Sequence, residues 1–141
     1  MTQDQTRVSW AIAAVLVGRL IFAAIFLMAA SFKLIDINAT ATYIAGAGFP
    51  IPLALTWCAA VFELALVASF LTGVYFSEGA LLAIVCVLFL GFSFHEPSRW
   101  AGNQAEFGFF IDHFSFFAGL LFAAAHWPGH ILALRRGWLN R

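Results

Sequence analysis

The stretch "WAIAAVLVGRLIFAAIFLMAASFKLI", residues 10–35, decides the fold. Apart from Arg19 and Lys33 it holds only apolar, small or hydroxyl-bearing side chains. A helix needs roughly 20 apolar residues to cross hydrocarbon, and this run exceeds that length. A secretory signal would have a shorter apolar centre and a basic leader. Here the leader is the nearly neutral "MTQDQTR" (1–7), and "LMAASFK" (27–33) imitates a cleavage site only loosely. The stretch therefore reads as a retained membrane span.

Three more apolar segments follow, at about 52–73, 77–95 and 107–127. The breaks between them carry turn chemistry: Gly46, Gly48 and Pro50–Pro52, then Gly73 to Gly79, then the polar "HEPSRWAGNQAEFG" (95–108). Of 141 residues 63% are apolar and 10% charged, against about 45–50% and about 25% in soluble domains. A soluble chain this short could not hide so much apolar surface. The expected architecture is all-α: one integral membrane domain, an up-down-up-down four-helix bundle in a lipid bilayer. Seven basic and seven acidic side chains balance, so nothing points to nucleic acid. Cys58 and Cys86 both sit in apolar runs and are expected to be buried as small hydrophobes.

Four spans put both termini on one side. That side holds Arg7, Arg135, Arg136 and Arg141, whereas the opposite loops hold Arg99 and Lys33. Basic excess marks the cytoplasmic face, so both termini are expected there. Trp10, Trp127 and Trp138 then mark the inner interface, and Trp57 and Trp100 the outer. The tail "HILALRRGWLNR" (130–141) is expected to lie on the inner surface as a basic anchor.

Function must be sought in the few polar groups within the spans, because an ionisable group at mid-bilayer costs about 2.5–3.5 kcal/mol and usually faces a partner. Arg19 lies nine residues beyond Trp10, roughly 13 Å from the inner face at about 1.5 Å per residue. Glu63 lies ten residues before Gly73 on the next span, roughly 15 Å from the same face by that rise. Matching depths on successive antiparallel helices predict an Arg19–Glu63 ion pair, which either fixes register or also lines a ligand cavity. Towards the outer face Lys33, His95, Glu96, Asp112 and His113 are expected to share one funnel, with Lys33 and Glu96 snorkelling to the headgroups. Asp112 lies on a small-residue stripe with Ser115, Gly119, Ala123 and His126. It is therefore expected to point inward, with His113 about 100° away facing a neighbouring helix.

No metal site is expected from spacing: "HEPSRW" (95–100) lacks the second histidine of H-E-x-x-H and contains a proline. Phosphate loops, nucleophile elbows, Cys-x-x-Cys and covalent cofactor motifs are absent from the sequence.

"VGRLIFAAIFLMAASFKLID" (17–36), "TYIAGAGFPIP" (42–52), Glu63 and "DHFSFFAGLL" (112–121) together resemble the DoxX family of small four-helix membrane proteins, nearly end to end. The resemblance implies a bacterial inner-membrane protein, linked in some relatives to quinone-coupled oxidation of sulfur compounds or to defence against thiol and oxidative stress. Arg19, Lys33 and Glu63 align with the family's polar positions. Relatives often carry Lys-Asn where this chain has Asp112-His113, a reversal of charge that favours proton handling or cation binding over anion binding.

The leading expectation is a redox-associated or quinone-binding membrane subunit, as a component of a quinone-linked oxidoreductase. Arg19, Lys33, Glu63, His95, Asp112 and His113 would form the pocket around a quinone ring. With no electron carrier in the sequence, such a subunit needs a soluble or membrane redox partner, and a homo-oligomer is compatible. The alternatives are a non-enzymatic scaffold or assembly factor, and a transporter of a small solute or proton. Four short helices leave a transporter little room for alternating access.

Overall fold

The computed structural model describes residues 3–126 and residue 139. Among these residues five α-helices follow in order: α1 (Gln3–Ile35), α2 (Ile37–Gly46), α3 (Pro52–Thr72), α4 (Phe76–Phe94) and α5 (Gln104–Ala125), with a 3-10 turn at Pro97–Arg99. Among the described residues four stretches are long and apolar enough to cross a membrane: Arg7–Ile35, Pro52–Thr72, Phe76–Phe94 and Gln104–Ala125. The four expected spans are there, and the architecture is all-helical. The expected anchor at 130–141, with its arginines and Trp138, lies outside the described residues but for Leu139.

The boundaries follow from local chemistry. α1 ends at Asp36, whose carboxylate accepts the Ala39 N–H at 2.9 Å and so caps α2. The ten-residue α2 was not expected from the sequence, where this segment read only as a linker rich in turn signals. Pro52 opens α3, where its missing N–H costs nothing. Gly73 closes it in the left-handed conformation, φ 74°, which a side chain would oppose. Its N–H returns to the Ser69 carbonyl at 2.8 Å, and the Ser69 hydroxyl donates to the carbonyl oxygens of Val74 and Tyr75. Pro97 follows the end of α4, and Asn103 caps α5 by accepting the Glu106 N–H at 3.4 Å.

The chain divides into two units, which among the described helices place α1, α2 and α3 in one and α4 and α5, within Ser77–Trp127, in the other. In the first, α1 and α3 pack antiparallel, and α2 packs on both. The buried face of α1 carries Arg19, Ala23, Phe26 and Ala30, with half-buried Lys33 next; that of α3 carries the series Thr56, Ala60, Glu63, Val67 and Phe70, with Leu66 buried beside it. Both series alternate steps of four and three, the seam spacing of helices that pack at a shallow left-handed crossing. The alanines let the backbones approach. Fully buried Phe70 fills the lower seam, with ring centres 5.5 Å from Phe22, 5.8 Å from Phe26 and 5.6 Å from Phe76.

In the second unit α4 and α5 are also antiparallel. Phe92 meets Phe110 and Phe114 edge-on at 5.3 and 6.0 Å, and His95 meets Phe109 at 5.2 Å. The α5 positions withdrawn from the surface are 106, 108, 110, 113, 116, 117, 119, 120, 123 and 124. Of the small-residue stripe, Asp112, Ser115 and His126 are exposed, whereas Gly119 and Ala123 are half-buried. Cys58, expected to be buried, is exposed.

Candidate functional site

Polar side chains in the first unit gather on the α1–α3 seam, but not in the predicted pairing. Glu63 is buried, 4% exposed, and its Oε1 accepts from Lys33 Nζ at 2.7 Å. Arg19, 3% exposed, instead donates from Nε to the Phe70 carbonyl and from a terminal nitrogen to the Leu71 carbonyl, both at 2.7 Å. Its guanidinium also lies 5.7 Å from the Phe76 ring centre. The predicted Arg19–Glu63 pair is thus replaced by Lys33–Glu63.

The reason is directional. Helical side chains lean towards the N-terminus of their own helix. On antiparallel helices, groups at equal depth therefore lean apart. Arg19 leans towards the end of α3, where the last-turn carbonyls lack helical partners. Lys33 leans inward and Glu63 leans to meet it. The Lys33 ammonium also donates to the Ala29 carbonyl, one turn back, at 3.3 Å. Lys33 is therefore turned into the span, the reverse of the snorkelling expected for it.

The pair has hydrogen-bonding capacity to spare. Glu63 Oε2 is buried and has no hydrogen-bond partner among the described residues. Lys33 uses two of its three N–H donors, and its side chain is 20% exposed. An acceptor and a donor are thus presented side by side at one end of the seam.

The second unit brings together His95, Glu106 and His113. His95 Nδ1 lies 2.7 Å from Glu106 Oε2, and the Trp100 indole N–H donates to the His95 carbonyl at 3.0 Å. The His95 and His113 ring centres are 5.2 Å apart. His113 Nδ1 lies 2.7 Å from the Phe109 carbonyl. A carbonyl only accepts, so this nitrogen carries the proton. His113 sits against Gly91 of α4, where an added Cβ would come within 3.2 Å of its own Cβ.

Asp112 is exposed on α5, contrary to the inward orientation expected for it. At the level of His113 the close approach is supplied by Gly91 on the partner helix. Glu96 is exposed and faces Arg99 at 3.8 Å, a weak surface pair. Glu106 was missed by sequence reasoning. Its signal was "NQAE" (103–106), an N-cap with an acidic residue three positions on, which starts the helix earlier and turns Glu106 back towards His95. Among the described residues no three His, Cys, Asp or Glu side chains gather as a metal centre.

The DoxX family profile matches residues 14–96, more than half of the chain. The chain belongs to the DoxX family. It is accordingly a small multi-pass membrane protein. The matched region contains Arg19, Lys33, Glu63, His95 and Glu96 and ends before α5, so Glu106, Asp112 and His113 fall outside it. Comparison with characterised proteins and with solved structures finds no match.

Proposed function

We propose that this DoxX protein is a redox-associated membrane subunit that binds a quinone at the Lys33–Glu63 pair. The observation that carries the reading is the half-satisfied pair: a buried carboxylate oxygen without a hydrogen-bond partner beside an ammonium with a donor to spare. A quinone carbonyl would accept from Lys33, and the hydroxyl of the reduced ring would donate to Glu63 Oε2. Burial makes each such bond stronger than in water and makes the unmet capacity costly. Phe- and Ala-rich surfaces of α1 and α3 suit a prenylated ring. The chain offers no electron carrier in its sequence, so a soluble or membrane redox partner completes the reaction. The setting proposed is a bacterial inner membrane with both termini cytoplasmic.

The test is organic extraction of the purified protein followed by chromatography of the extract. Quinone at a stoichiometric level, lost in a Glu63→Gln variant that melts like the parent, supports the reading. Absence of quinone from the parent, or its full retention in the variant, refutes it. Arg19 favours the second reading, a non-enzymatic scaffold, because it clamps the end of α3 rather than facing an open site. That reading gains if Glu63→Gln retains full cellular function.

A further inference from the structure

We propose that His95 and His113 form a binding site for a late first-row divalent ion such as Zn2+ or Cu2+, independent of the Lys33–Glu63 pair. Metal-bound histidine almost always donates its other ring N–H to a carboxylate or a backbone carbonyl, which fixes the tautomer and makes the ligating nitrogen more basic. Both arrangements are present: His95 Nδ1 faces the Glu106 carboxylate, and His113 Nδ1 faces the Phe109 carbonyl, each at 2.7 Å. With Nδ1 committed, each neutral ring presents its lone pair at Nε2. Neither Nε2 has a hydrogen-bond partner among the described residues.

The spacing fits the same chemistry. An ion held at about 2.0–2.1 Å by two ring nitrogens near a tetrahedral angle sets the ring centres roughly 5 Å apart. They are 5.2 Å apart, with the planes at 45°. Gly91 is what lets His113 come so close to α4. Imidazole nitrogen selects zinc, copper and nickel over magnesium and calcium. Two protein ligands leave the remaining positions to water or an incoming group. No sequence spacing announces the site, because one ligand follows the end of α4 and the other lies on α5.

The experiment uses the full-length protein, stripped with chelator and titrated with Zn2+ and, separately, with Cu2+. Bound metal is quantified by elemental analysis, and copper coordination is read by electron paramagnetic resonance. We expect one equivalent bound, with nitrogen hyperfine structure from two imidazoles. Affinity should fall at least tenfold in His95→Gln and in His113→Gln. It should fall by about 10–100-fold in Glu106→Gln, which keeps both ligands but loses the carboxylate behind one of them. A melt of each variant separates lost binding from lost folding. Should a variant unfold, the copper spectrum of the parent decides by whether it shows two imidazoles. The proposal is overturned if the parent binds no stoichiometric metal, if its copper spectrum lacks two imidazoles, or if His95→Gln/His113→Gln binds as tightly as the parent. In the last case the metal is adventitious, held by histidines such as His126.

Discussion

Replacing Lys33 by methionine should be strongly damaging, and replacing its partner Glu63 by leucine should be much milder. The Glu63 side chain is 5% exposed and sits mid-way along α3, far from either helix end. Lys33→Met leaves that carboxylate without its cation. A buried charge stripped of its partner costs about 3–5 kcal/mol. Glu63→Leu leaves a cation instead, but one placed two residues from the end of α1 and already part-exposed. Its stem can release the Ala29 carbonyl and swing to the headgroups. The loss is then one charge-assisted hydrogen bond, set against a gain in apolar packing, and amounts to about 1 kcal/mol. The double variant has neither charge to bury, and such replacements are neutral or stabilising by about 1–4 kcal/mol.

The expected order of stability is therefore double variant at or above parent, then Glu63→Leu, then Lys33→Met at least about 2 kcal/mol below it. Unfolding in mixed detergent micelles, followed by helical circular dichroism, measures all four proteins. Equal losses in the two single variants would refute the directional argument. A double variant that loses the sum of the singles would show that the two side chains do not interact.

Three further perturbations test other parts of the structure. Arg19→Met removes two charge-assisted bonds to the last carbonyls of α3 and should cost roughly 3 kcal/mol or more. Arg19→Lys should recover part of that, because an ammonium cannot reproduce the fork; both are read by the same unfolding assay. Gly91→Ala gains about 1 kcal/mol of helix propensity, but the contact with His113 should cost about 1–3 kcal/mol. The net effect is destabilising, and it should change sign in a His113→Gly background, which removes the Cβ that the new methyl meets. Gly73→Ala forces a side chain into the left-handed region and should lower stability by about 1–2 kcal/mol in the unfolding assay. For topology, with Cys58 and Cys86 replaced, an Arg136→Cys variant in intact cells should resist an impermeant thiol reagent, and labelling there would place the C-terminus outside.

Spans were legible in the sequence because apolar length is a one-dimensional property. Runs of about 20 residues broken by Gly, Pro and polar clusters announce helices whatever their neighbours do. Partners were less legible. Depth placed Arg19 level with Glu63, but pairing depends on where a four-bond side chain ends, and opposite leans on antiparallel helices carry equal-depth groups apart. The same rule applied at the outset would have sent Lys33 down and Glu63 up to meet. α2 escaped because its ten residues lack the length of a span, although Asp36 before "INATATYIAG" is a recognisable cap.

The fourth span shows the deeper difficulty. A stripe of small residues marks one face of α5, and intramembrane helices do pack through small residues. Near Asp112, however, the small partner is on the other helix. Close approach needs only one of two facing positions to be small, and here it is Gly91. Large side chains on α5 then fill the seam, and His113 is one of them. A single-helix pattern cannot say which of two complementary surfaces carries the notch. That is why Asp112 looked inward and lies exposed, and why His113 and its alignment with His95 emerge only when both helices are in place.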